Sequence, residues 1–338
     1  MSNTSRTFTF LGPNIASMDV RMNGFELMSD QTNIRTWYFG NGFNDDRTVP
    51  SPVIEAIEGQ TVQVTLSSMM PHSIHFHGLD VDQANDGVPS TSGYVAQMPG
   101  GMGFGRVEGY SNLGSPFTYR FTAPHAGTYK YHCHVDTVLH FEMGMYGTVI
   151  VRPPDGSTSQ AWAGGPRFDK EYIWHLHTYD STWHSGTGPR ISGPGTVRHR
   201  PDYFMINGRD GGNTLSDPTS AITAAAGEKV LIRTTNVGYQ PALVQLGGLE
   251  FEVIASDGRP LRSTVLSTQQ WVAPGERYDI LFTMPAATNS VATMDYFDIR
   301  LTRILGTAST SIQAIASSNI FQDGFESGDV SVWSSTIE

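Results

Sequence analysis

The chain holds a single cysteine, and it sits between two histidines in Tyr131-His132-Cys133-His134-Val135. His140 and Met145 follow at the spacing Cys-x6-His-x4-Met. A second cluster lies upstream, in Pro71-His72-Ser73-Ile74-His75-Phe76-His77-Gly78. Side chains alternate faces along an extended strand. His75 and His77 therefore share one face, and His72, three residues back, takes the other. His132 and His134 likewise share a face, opposite Cys133. Two strands of this parity can build two sites, one with His72 and Cys133, the other with His75, His77, His132 and His134. Adding His140 and Met145 to the first gives two imidazoles, a thiolate and a weak thioether, the donor set of a blue-copper electron-transfer centre. Zinc is the competing metal, but a structural zinc prefers a closed tetrahedral set without methionine. A lone strand histidine is ordinarily a surface residue, and a lone buried cysteine is ordinarily inert. The concentration of histidines in two segments of matched parity argues for metal instead.

The elements that must position these residues are short strands. Alternating runs such as Thr-Val-Gln-Val-Thr-Leu (61–66), Phe-Thr-Tyr-Arg-Phe-Thr (117–122) and Tyr-Asp-Ile-Leu-Phe-Thr (278–283) are separated by turn residues, and helical periodicity is scarce. The 36 glycines and 19 prolines fit a turn-rich sandwich or barrel. A Gly, Pro and Ser-rich break at residues 153–166 reads as a linker. The halves on either side repeat. Aligning Pro71 with Pro241 places Gly78 on Gly248, Leu79 on Leu249 and, with a two-residue insertion, Gly59 near Gly227. The same alignment sets His72, His75 and His77 against Ala242, Gln245 and Gly247. The fold is duplicated; the histidines are not. The formal charge of −11 disfavours nucleic acid, and no run reaches the ~18 apolar residues of a membrane span. One cysteine excludes an intrachain disulfide.

At His72–Pro89 and Thr128–Gly147 the sequence resembles the copper motifs of the multicopper oxidases, the laccase-like group of the cupredoxin superfamily. Tyr203–Gly211 and Trp271–Phe282 resemble the domain that follows in that family. The resemblance implies an all-β chain of two cupredoxin-like Greek-key β-sandwich domains. Residues 1–155 would carry the copper ligands, 156–316 would lack them, and 317–338 would be a polar tail, similar to short tails on exported bacterial proteins. It further implies copper as cofactor, with a type 1 site at His72, Cys133, His140 and Met145. His75, His77, His132 and His134 would serve a type 2/type 3 cluster, and Asp86 would assist proton delivery to it. Electrons from a small-molecule donor would enter near His140, on a loop, and pass through Cys133 to dioxygen. Asp136 and Glu142 beside His140 are read as solvated loop charges.

The family's cluster takes histidines from two facing domains, and the second half here offers none at the matching positions. Two completions are open. A second copy of the first domain can face it in a homo-oligomer, a dimer or a trimer, or His175 and His177, with His184 near, can donate from a neighbouring chain. These three otherwise read as structural or surface residues; His125 and His199 are taken as non-ligands. Two rivals to the oxidase remain: a nitrite-reductase-like enzyme with type 1 and type 2 copper, and a non-catalytic blue-copper carrier. The opening residues show no export signal, so the protein is either cytoplasmic or has its signal absent from this chain, and the expectation taken is the second, secreted or periplasmic.

Overall fold

A computed structural model describes residues 10–12, 14–41, 49–68, 71–89, 110–111, 116–185 and 198–315. The expected polar tail at 317–338 lies outside the described residues. Strand Thr61–Ser67 shows why the sequence folds as it does. Val62, Val64 and Leu66 are fully buried, while the intervening polar residues face outward. β-Branched residues at period two fit a half-buried pleated surface.

Each half is a pair of packed sheets. In the first half one sheet runs Phe10–Leu11, Val53–Ile57, Tyr146–Arg152, Gly127–His132, His75–His77. The other runs Asn33–Gly40, Ile15–Leu27, Thr61–Ser67, Phe117–Thr122. In the second half Ile222–Ala225, Ile304–Ile315, Asn289–Phe297 and Ala242–Gln245 repeat the last four strands of the first sheet in the same order. Tyr203–Ile206, Lys170–Tyr179, Lys229–Asn236 and Arg277–Thr283 repeat the second sheet. The parallel pairings recur too: Ile15–Leu27 with Thr61–Ser67, and Lys170–Tyr179 with Lys229–Asn236. Gly59 and Gly227 carry φ of 80° and 87° before the matching strands, a left-handed turn that glycine adopts without cost.

One strand departs from simple alternation. Gly127–His132 is buried on both faces. Tyr129 and Tyr131 enter the first core. Thr128 and Lys130, which the pattern sends to solvent, face the second half. There Thr128 Oγ1 donates to Asp279 at 2.5 Å, and Lys130 Nζ donates to the Asn236 carbonyl at 3.2 Å. Arg233 binds both Asp279 at 3.2 Å and Glu171 at 2.7 Å, and Glu171 pairs with Arg152 at 2.8 Å. The two sandwiches are thus joined by a buried polar seam directly beneath the strand that leads to Cys133.

Candidate metal centres

Cys133 lies one residue beyond strand Gly127–His132, and its side chain is fully buried. His72 comes from a two-residue strand held against Tyr110–Ser111. The Cys133 Sγ is 3.5 Å from Nδ1 of His72 and 3.1 Å from Nδ1 of His140. His140 sits on a short helix, Thr137–Glu142, where the sequence suggested a loop. Asp136 starts the helix in a left-handed conformation, φ 46°, and Gly144 ends it at φ 108°. Any Cβ on Gly144 would lie 2.3 Å from Val49 Cγ2, so only glycine allows this close return. The return brings Met145 home: its N–H donates to the His140 carbonyl at 3.0 Å, and its own carbonyl accepts from Cys133 N–H at 3.1 Å. Met145 is fully buried in the same core as Cys133.

The second set forms where His75–His77 pairs antiparallel with the end of the Cys133 strand, His132 opposite His75. The His75 ring centroid is 5.1 Å from His132, 5.2 Å from His134 and 5.6 Å from His77. Nδ1 of His75 donates to the Asp86 carbonyl at 2.8 Å, with an Asp86 carboxylate oxygen 3.2 Å away. Nδ1 of His132 donates to the Cys133 carbonyl at 3.0 Å. Both rings therefore turn an Nε2 lone pair inward, that of His132 lying 3.3 Å from Nδ1 of His77, and the Nδ1 contacts are the usual outer support of a metal-ligating histidine. The Asp86 loop reaches the strand because Gly87, φ 74°, has no Cβ; one would lie 1.9 Å from the Ile74 carbonyl oxygen. His75, His77 and His134 are only partly buried, so this set has an open side.

Electrostatics suit a metal in both places. Burial, with help from His140, lowers the His72 pKa to about 3, and burial lowers that of His140 to about 4. Burial, then Lys130 and Arg277, lowers His77 to about 2, and burial drives His132 well below its usual range. These imidazoles are neutral at pH 7 with lone pairs available. Burial pushes the Cys133 thiol up to about 12, so its thiolate needs a cation beside it. A soft sulfur with imidazoles and a thioether fits copper. Ligand atoms of His72, Cys133 and His140 thus gather in one place and those of His75, His77 and His132 in another, with the His134 ring beside His75 and Met145 in the core that holds Cys133.

The structure corrects several expectations. Glu142 is not a solvated charge: it is fully buried, held by the Asp180 N–H at 2.7 Å and faced by His177, His184 and His199. Burial alone would raise its carboxyl, but His184 and His199 outweigh that and hold it down to about 2. His175 and His177 are fully buried within their own chain, out of a neighbour's reach. His175 meets Thr148 Oγ1 at 2.7 Å across the seam and Asn207 Oδ1 at 3.1 Å within its own half. Lys130 was missed by the sequence reading. Burial, then Arg277, lowers its pKa to about 7 beside His77. Its lone signal was a lysine two residues before the first cluster histidine.

Sequence models of the multicopper oxidases match residues 21–155 and again residues 174–313. The chain belongs to the multicopper oxidase family. A copper-containing nitrite reductase of Neisseria gonorrhoeae is 29% identical over 71% of this chain and 54% of its own length. The multicopper oxidase MmcO of Mycobacterium tuberculosis is 25% identical over 74% of this chain and 48% of its own. The chain thus spans about half the length of these curated relatives. Among solved structures, a blue copper oxidase from Nitrosomonas europaea superposes with a TM-score of 0.65 at 23% identity, covering 89% of this chain and 85% of that one, which supports the fold. Copper is accordingly the metal this family implies, and these two groups are its candidate ligands. Within the family's duplicated architecture, the second half pairs Ala242–Gln245 with Asn289–Phe297 as the first pairs His75–His77 with Gly127–His132, and that pair carries no histidine or cysteine.

Proposed function

We propose that the chain is a laccase-like oxidase that takes single electrons from a small-molecule donor and passes them to dioxygen. One observation carries this reading. Cys133 belongs to one ligand set, while His132 and His134, its immediate neighbours in the chain, belong to the other. Bound copper supplies one-electron chemistry at the first set and oxygen reduction at the second. The chain's own residues do the rest. His140, at 8% exposed, is the edge of the first set nearest to solvent; His72, Cys133 and Met145 are at 1% or less. Asp86 touches His75 on one side and water on the other, with a quarter of its side chain exposed, so it can hold and hand on a proton. No helix among the described residues is long and apolar enough to cross a membrane. The reading places the protein in the periplasm or outside the cell, where its one thiol is shielded by burial.

The second half lacks cluster histidines, so completion falls to another chain. A homo-oligomer in which first domains face each other, as a dimer or a trimer, brings further copies of His75, His77, His132 and His134 to the open side. The similarity to a nitrite reductase favours a second reading, with a single type 2 copper at these histidines; His134 would then have no evident role. Copper content and oxygen uptake separate the readings. A cluster shared by two chains gives about two and a half coppers per chain with oxygen consumed. About two, with nitrite reduced and oxygen untouched, would replace the oxidase by the reductase. About one, with no turnover, would leave a carrier.

A further inference from the structure

A cavity of about 810 Å³ opens in the second half, against the helix that carries His140. Three segments line it. Arg198 and Arg200 come from the stretch beyond the Ser181–His184 turn, Tyr239 from the turn before Ala242–Gln245, and Arg300 and Arg303 from the turn between Asn289–Phe297 and Ile304–Ile315. The chain is acidic, at −11, yet four of its 21 lysines and arginines meet here. All four are exposed, and among the described residues none of them is in a salt bridge. The carboxylates close by are engaged by their own turns. Asp298 accepts from the Thr302 N–H and hydroxyl, both at 2.8 Å, and from the Arg303 N–H at 3.2 Å. Asp180 accepts from the Arg200 N–H at 2.6 Å and the Thr182 N–H at 3.1 Å, and Asp202 from the Ser181 N–H at 2.9 Å. Of these acids only Asp298 lines the cavity, where it feels the Arg303 charge, so most of the positive charge there is unbalanced. Tyr239 joins the cavity to the helix. Its hydroxyl donates to the Val138 carbonyl at 2.5 Å, and its ring stands 6.3 Å from that of Phe141, the residue after His140.

We propose that this cavity docks the electron donor, and that the donor is a phenolic acid, an aromatic carboxylate that also carries a phenol. The inference rests on the oxidase reading and narrows its substrate class. A guanidinium holds a carboxylate through two parallel N–H···O bonds, and a surplus of one charge in a concave site draws the opposite charge from solution. A neutral or cationic donor leaves that surplus unused. The aromatic part follows from the rest of the lining. Tyr239, Ile299 and Leu305 give the cavity an apolar side, with Ile299 81% exposed. An inorganic anion would use the arginines and leave that side wet; an aromatic acid uses both. The redox step balances. A bound phenolic acid gives one electron to copper(II) at the first ligand set and its phenolic proton to water, and leaves as a phenoxyl radical. Four such events supply the four electrons and four protons that turn one dioxygen into two waters.

Calorimetry on the full chain freed of copper separates binding from turnover. Vanillate should bind, and its neutral methyl ester should bind at least about tenfold more weakly, the worth of one charge-assisted pair. A variant carrying Arg198→Gln, Arg200→Gln, Arg300→Gln and Arg303→Gln changes only exposed side chains, so its far-ultraviolet β spectrum should persist. Its affinities for vanillate and the ester should fall within about twofold of each other. In the copper-loaded chain the same variant should lose the matching preference in kcat/KM, read as oxygen uptake. Vanillate bound no more tightly than its ester, or a preference that survives in the variant, would overturn the proposal. Inorganic phosphate bound as tightly as vanillate would overturn the aromatic class. No oxygen uptake with any donor, with the binding preference and its loss in the variant intact, would instead remove the oxidase reading and leave the carboxylate site standing.

Discussion

Cys133 is the residue on which most of the chemistry converges, and its environment sets a measurable cost. Burial holds the thiol at about 12, while His72 and His140 titrate at about 3 and about 4. Between about pH 4 and pH 12 the empty site is one proton richer than the filled one, because copper takes a thiolate and neutral imidazoles. Copper uptake there should release one proton, and apparent affinity should rise about tenfold per pH unit across that window. Calorimetry in buffers of different ionisation heat measures this; Cys133→Ser should abolish both the release and the blue band. A blue band surviving in that variant would sink the ligand assignment. Asp86 is argued at the same scale. Asp86→Asn keeps the backbone carbonyl that holds His75 but removes the proton-carrying oxygen, so reoxidation of the reduced protein by air should slow by about 10²-fold. Reduction by donor should be untouched. Stopped-flow traces with unchanged recovery would make Asp86 a turn residue only.

At the scale of elements, strand parity was legible in the sequence because period two leaves one choice per residue. It put His72 with Cys133 and His75 with His132, as the distances show. The helix Thr137–Glu142 was not legible. Six residues carry too little periodicity, and what makes the turn is a left-handed Asp136 and a glycine packed against Val49. The burial of Glu142, Thr128 and Lys130 was hidden for another reason: each faces the second half, and no local pattern encodes a partner more than thirty residues away. The Asp86 loop offers a direct check. Gly87→Ala puts a Cβ where the Ile74 carbonyl stands, at a positive φ. The strain, on the order of 1–3 kcal/mol, should push the loop off His75. A lower thermal midpoint and poorer copper retention at the histidine cluster are expected, with the blue band kept. Full cluster occupancy in the variant would show that the loop does not support His75.

At the scale of the molecule, the repeat was readable from aligned glycines and prolines, and the matching strand orders bear it out. The seam between the halves was not, since Arg233, Asp279, Glu171 and Arg152 are scattered charges until the fold collects them. The emptied second half has a consequence for assembly. His77→Ala with His134→Ala should lose cluster copper, keep the blue band and weaken association, because coordination that closes between chains links metal binding to oligomer formation. Sedimentation at varied protein concentration, with and without copper, measures the linkage. A copper-loaded monomer that still consumes oxygen would defeat the shared-cluster reading.

The solitary, wholly enclosed thiol also makes the protein a clock for its own breathing. A water-soluble thiol reagent can label only those molecules in which the surroundings of Cys133 have opened, and there is no second cysteine to blur the signal. When reclosing outpaces labelling, the rate reports the equilibrium for that local opening rather than for global unfolding. Cys133 is tied through its backbone to Met145, and Met145 to His140. The opening that is timed is therefore the peeling of the His140 helix and its return loop from the sandwich.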